Sequence, residues 1–489
     1  MTNRFILTYV MTLGLAILIP VMPAIAQDTA AKPDPNREAA KRPLSLLESA
    51  AWQDLFNGKD TTGWTGDTEG YVVQDGVLVC KPGGKNLETV KDYSDFAFTF
   101  EFKMQESANN GIGIRVPAGG RAAQDGLEIQ ILDNNGSSYN AEGIIDGKPR
   151  KLSWLKPWQV HGSVYAHIPA KTGYLKPVGE WNTQTIIAIE DHIMIILNGA
   201  LIVDAFLEDH APLEPGFNGR FNRTGRITLA GHSDPMEFRN IKVAEFTPAA
   251  PLGGDAGDNT PPPGFTALFN GKDLSGWKGL AHNNAVERRA LTGDALTTAQ
   301  AKADELMNAH WSVKEGGILT YDGKGASLCT AKDYGDFELY CDWKIPAGAD
   351  SGIYLRGTPQ IQIWDPWDAT IKEKDGTVRK ATTPEEWVTV YATGRNLGSG
   401  GLWNNKRTRN QPLALADKPI GEWNRFLIRM VGKRVSIWLN GKLVVDRTEL
   451  ENFWDKEGKL PLVRADQIEL QHHGNELTFK NIYIRELPY

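Results

Sequence analysis

Two stretches of this chain place polar side chains where a buried strand would ordinarily carry valine or leucine. The later one, residues 350–365, reads DSGIYLRGTPQIQIWD, and a related stretch covers residues 109–133. Each starts with Gly-Ile and soon reaches an arginine, Arg115 or Arg356. Each then ends in an alternating strand closed by Gln-x-x-Asp: Gln130 and Asp133, then Gln362 and Asp365. Alternation sets Glu128 and Gln130 on one strand face, with Gln360 and Gln362 on the matching face of the second copy. Polar groups on a strand flanked by apolar runs need partners. The row of amide, carboxylate and guanidinium groups is therefore either a structural hydrogen-bond network or a sheet face that binds a ligand.

The elements around these stretches repeat. Leu-Phe-Asn-Gly-Lys-Asp with Gly-Trp begins at Leu55 and again at Leu268; Lys-Asp-Tyr with Asp-Phe begins at Lys91 and Lys332. Gly-Glu-Trp-Asn occurs at Gly179 and Gly421, Leu-Asn-Gly at Leu197 and Leu439, and Phe-Arg/Lys-Asn-Ile at Phe238 and Phe479. A period this long means tandem domains, because solenoid repeats are far shorter. Residues 96–104, 185–197 and 426–439 are rich in β-branched, aromatic and alternating residues, and Asn198-Gly199 and Asn440-Gly441 are hairpin turns. The expected fold is all-β, a sandwich of antiparallel sheets in each half. Helical spacing appears over residues 293–309, with Thr292 as a candidate cap, and is read as an insertion in the second half.

The chain of 489 residues has a formal net charge of -7 and scattered cations, which leaves no basic stripe for nucleic acid. Residues 1–26 have one early arginine, a short apolar run and small residues at Ala24 and Ala26. They read as a signal peptide, so the expected address is periplasmic or secreted, without stable membrane insertion. Residues 27–45 read as a flexible leader, 46–247 as the first sandwich, 248–263 as a Pro/Gly linker and 264–489 as the second sandwich. Cys329 and Cys341 stand at equal distances from Gly335, a spacing that fits either a cross-strand bridge or two buried thiols. Long polar loops at 134–161 and 366–401 carry Trp154, Trp158, Trp367 and Trp387. With Trp364 and Trp403, these could be platforms for sugar rings or ordinary core residues.

In order and twice over, these landmarks resemble the 3-keto-disaccharide hydrolase family, common in secreted bacterial proteins. The resemblance covers nearly all of both halves and implies a concanavalin A-like jelly roll with its site on the concave sheet. It also implies cleavage of glycosides whose sugar is oxidised to a ketone at C3. The ketone acidifies the C2 proton, a base removes it, a donor stabilises the enolate, and the C1 substituent leaves with help from an acid. On that reading Glu128 is base or acid, Arg115 the stabiliser and Gln130 and Asp133 orienting groups, with Tyr165 and His232 joining from other strands.

The second half departs from this pattern, since Gln360 replaces the carboxylate and cannot take a proton at neutral pH. Its remaining candidates are Arg356, Asp365, Asp350, His472 and His473 for chemistry and Gln362, Trp364 and Trp403 for substrate; His472 aligns approximately with His232. A classical pair of facing acids about 5 to 10 Å apart has little support, because Glu128 and Asp133 do not share a face. A divalent cation such as calcium could polarise the ketone, yet no ligand spacing singles out a metal site. The partner expected throughout is carbohydrate, met either by an enzyme or by a non-catalytic protein with two lectin-like modules; an envelope scaffold is the third alternative.

Overall fold

A computed structural model describes residues 33–489 except 146–147, 233, 253–258, 359, 368–369, 374, 376, 381–382, 384–385, 387–396, 458, 461 and 489. The signal-peptide reading and the Trp387 platform lie outside these residues. Among them, the first half forms an eight-stranded and a five-stranded antiparallel sheet, and the second half repeats the same pair. In the first half the five-stranded order is Trp64–Gly66, Leu87–Thr89, Arg226–Ala230, Asn109–Val116, Leu127–Leu132. In the second it is Trp277–Gly279, Leu328–Thr330, Glu469–Leu470, Asp350–Tyr354, Gln360–Trp364. The polar stretches at 109–133 and 350–365 thus hold the last two strands of each smaller sheet.

Each sandwich closes over an apolar core. Phe98, Phe100 and Phe102 of the larger sheet meet Ile112, Ile114, Ile129, Ile131 and Leu229 of the smaller one. Leu339, Cys341 and Trp343 meet Ile353, Ile361, Ile363 and Leu470 in the second half. Burying these side chains is the main favourable term for each half.

The leader is not flexible over its full length. Helix α1, Pro35–Leu47, starts on the Asp34 cap and buries Ala40 and Leu47. They join Ile187, Ile189, Met194 and Leu201 on the outer face of the first large sheet, together with Val431 and Leu487 from the second half. An apolar stripe that has a sheet to cover wins over the local Ala/Pro/Lys composition that had pointed to disorder. The described ends of the linker are likewise engaged, with Leu252 and Ala249 packed against Tyr340, Leu427 and Tyr483.

Three further readings meet mixed outcomes. The long polar loops each contain a two-stranded hairpin, Asn140–Ile145 with Lys148–Ser153 and Thr370–Lys372 with Val378–Lys380. All three cysteines are free and buried. Cys329 lies on the small sheet and Cys341 on the large one, so the bridge across the turn does not form. The helical insertion is present as α4, Gly293–His310, but Thr292 makes no side-chain cap bond. Helix α3, Ala285–Ala290, precedes it and went unread because six residues show little periodicity.

Candidate functional site

Strand alternation decides which residues face the site. Because Ile112, Ile129, Ile131 and Leu229 enter the core, Gly111, Glu128, Gln130 and Ala230 must face outward from the small sheet. A cavity of about 250 Å³ opens on that outward face, lined by Asn109, Arg121, Glu128, Gln130, Tyr165 and His232 among others.

Glu128 is 5 % exposed, and its Oε1 lies 3.2 Å from Nε2 of His232. Across the ladder, Gly111 makes room for it: a Cβ there would sit 2.2 Å from Oε1 of Glu128. The hydrogen bond that Glu128 accepts from His232 raises the pKa of His232, burial works against this, and the nearby charges of Glu128 and Asp234 add to the rise. An imidazolium beside a carboxylate is a proton donor set against a proton acceptor. Gln130 Nε2 donates to Asn109 Oδ1 at 2.7 Å, and the Asn109 backbone N–H donates to Asp234 at 2.8 Å. Tyr165 enters from a loop whose N–H donates to the Glu128 carbonyl at 2.8 Å, and its ring meets Trp158 edge to face.

Helix α2, Ala122–Asp125, borders the cavity and carries the exposed Arg121 at its cap, paired with Asp125 at 2.9 Å. Arg121 and Asn109 are lining residues that the sequence reading passed over. Asn109 had a signal, standing at the head of the Asn-Asn-Gly-Ile run, whereas Arg121 follows two glycines in a loop whose return toward the sheet is a tertiary event.

Four expected site residues serve the fold instead. Arg115 has φ +51°, which breaks the strand alternation and turns its side chain away from the cavity. It is fully buried, donating to the carbonyls of Ser94 and Glu190 and pairing with Asp95 at 3.3 Å. Burial pulls its pKa down to about 10, partly offset by Asp95, so it stays charged at neutral pH. Arg356, with φ +50°, does the same in the second half through the carbonyls of Val463, Arg464 and Gly432. Asp133 accepts from the backbone of Ser107 and Asn135, and Asp365 from Gly348 and Trp367. Both aspartates close the turn after their strand; Asp133 borders a separate cavity of about 600 Å³.

In the second half Gln360 donates to the Ser351 carbonyl at 3.0 Å and to Gln471 at 2.6 Å, while Gln362 donates to Asp350 at 2.6 Å. His472 is bonded through Nδ1 to Ser327 at 2.8 Å, and burial lowers its pKa. Counting back six residues from Phe238 and Phe479, the partner of His232 is His473 rather than His472. Trp364 is buried and Trp403 is half exposed; Trp154 and Trp367 are exposed and Trp158 is buried. Among the described residues no three His, Cys, Asp or Glu side chains gather as a metal site, and no helix is long and apolar enough to cross a membrane.

The sequence pattern of the 3-keto-alpha-glucoside-1,2-lyase-like domain matches residues 51–244 and again 264–485. A 3-keto-disaccharide hydrolase of Bacteroides thetaiotaomicron is 23 % identical over 256 residues, spanning 46 % of this chain and 79 % of that protein. A crystal structure from Parabacteroides distasonis, described provisionally as a glycosyl hydrolase, is 24 % identical over 41 % of this chain and 96 % of its own, at a TM-score of 0.35. The carbohydrate-binding module CBM66 of Bacillus subtilis aligns at 13 % identity over 38 % of this chain and 96 % of its own, at a TM-score of 0.23. With both sandwiches matched over most of the chain, this protein belongs to the 3-keto-alpha-glucoside-1,2-lyase-like family and carries two copies of its domain in tandem.

Proposed function

We propose that the first sandwich cleaves glycosides of 3-keto sugars outside the cytoplasm, by elimination followed by addition of water. The observation that carries this reading is the Glu128–His232 pair at 3.2 Å in an open cavity where Glu128 is the lining carboxylate. Hydrolysis by two facing acids would ask for a second carboxylate there. Elimination asks for one base and one acid, which this pair supplies.

Glu128 removes the C2 proton, and the electron pair moves toward the C3 ketone as an enolate. The C1–O bond then breaks, and the departing alcohol takes a proton from the His232 imidazolium. Water adds back across C1 and C2, so the net change is hydrolysis. Gln130 and Asn109, held together at 2.7 Å, present hydroxyl-orienting groups, and the Tyr165 ring offers an apolar wall. Arg121 takes over the charge-stabilising role first given to Arg115, because it borders the cavity.

The test is turnover of a 3-keto-glucoside beside its unoxidised parent, by the whole protein with and without a chelator. Cleavage of the keto form alone supports the reading, and loss with chelator would add a divalent cation to it. Equal cleavage of the parent would sink it, as would cleavage of neither.

A further inference from the structure

The second sandwich keeps the outward face of its small sheet but changes its chemistry. In the first half the Tyr165 N–H donates to the Glu128 carbonyl, and in the second the Trp403 N–H donates to the Gln360 carbonyl at 3.1 Å. The Gln130 N–H donates to Ser163, and the Gln362 N–H donates to Gly401 at 2.8 Å. This register sets Trp403 in the place of Tyr165, Gln360 in the place of Glu128 and Gln471 in the place of Ala230. The glycine that makes room is also retained, since a Cβ on Gly352 would lie 2.3 Å from Nε2 of Gln360.

Three features then point one way. The amide of Gln360 cannot abstract a proton, and its bond to Gln471 at 2.6 Å extends a row of amides across neighbouring strands. The Trp403 ring is 47 % exposed, yet it is set edge to face on the buried Trp364 at 5.2 Å, whose Nε1–H donates to the Gly398 carbonyl. An exposed indole held in one orientation is a platform rather than core. Among the described residues beside this face, Arg288 of helix α3 meets Glu469 at 2.8 Å and Arg289 meets Asp466 at 2.5 Å, while the Asp350 carboxylate accepts from the Gln362 amide.

From these we infer that the outward face of the second sandwich is a non-catalytic binding site for a neutral oligosaccharide, which stacks on Trp403 and is oriented by Gln360 and Gln471. The site holds the chain on glycan while the first sandwich acts, and it stands whether or not the first sandwich performs the elimination.

The experiment uses the full chain carrying Glu128→Gln, titrated calorimetrically with maltotetraose, cellotetraose and laminaritetraose, and with a uronic acid tetrasaccharide as the charged control. A neutral probe should bind, and Trp403→Ala should weaken it about tenfold or more, the scale of a lost aromatic contact. Gln471→Leu should weaken it as well, with unchanged melting curves in both variants, while Tyr165→Ala should leave it bound. Binding by none of the neutral probes overturns the inference. So does binding that survives both Trp403→Ala and Gln471→Leu, binding lost with Tyr165→Ala, or a preference for the charged probe.

Discussion

Glu128 is buried against His232, whose pKa it raises, and this makes it sensitive to changes that leave its shape alone. Glu128→Gln should lower kcat by about 10² to 10⁴, the range of a lost general base, while a substrate analogue still binds; equal turnover would remove Glu128 from the chemistry. The fold should tolerate this change, because the second half already holds an amide at that register. The raised pKa of His232 gives a second expectation. The acid form is held to a higher pH than in free histidine, whose pKa is about 6.5. Activity should therefore fall as pH rises through the raised value, and His232→Gln should flatten that alkaline limb in a kcat/KM profile.

The strand ending in Arg115 shows what an element contributes beyond its side chains. Its positive φ lifts the guanidinium out of the alternating face and locks it to the carbonyls of Ser94 and Glu190 and to the carboxylate of Asp95. Arg115→Met leaves those acceptors buried without their donor and should cost roughly 3 kcal/mol of stability, read by thermal unfolding. A stable variant with damaged turnover would return Arg115 to the site. On the same strand, Gly111→Ala should do the opposite. A Cβ at 2.2 Å from Glu128 Oε1 and 2.6 Å from its Cγ must displace the carboxylate. Turnover should drop by roughly 10², as for a misplacement of about 1 Å, with a much smaller change in melting.

At the scale of the molecule, the halves are joined by charges as well as by Val431 and Leu487. Arg429 reaches Asp95 at 2.5 Å and Glu190 at 2.8 Å across the junction, and Arg447 reaches Glu190, Asp191 and Glu208. His192 is buried between Asp204 at 2.7 Å and Asp336 at 3.5 Å. The longer contact is not a hydrogen bond and becomes an ion pair when the ring is protonated. Burial opposes charge on His192, but the two aspartates outweigh it and raise its pKa; burial likewise opposes charge on Asp204, which His192 and Arg464 hold down to about 2. A raised histidine pKa gives stability that is complete below the unfolded value of about 6.5 and is lost as pH rises through the folded one. Melting temperature should therefore decline as pH rises above about 6.5 and through the raised folded value, and His192→Gln should remove most of that slope. An unchanged slope would mean that the junction does not titrate through this residue.

The sequence by itself determined the tandem organisation, the all-β class and the strand face shared by Glu128 and Gln130. Repeated turn signals and a period of two are local properties, and local properties survive in a string of letters. Only the tertiary structure decided the rest. Arg115 and Arg356 left the candidate site because a backbone angle reversed their direction, and Asp133 and Asp365 became turn acceptors. Arg121 came to border the cavity through a loop, and α1 became ordered because a distant sheet face needed cover. His232 was named, with Tyr165, only as joining from another strand on the family resemblance, and its partner lies 104 positions away. Contacts made across such separations depend on which strands lie side by side, and sequence spacing does not encode that order.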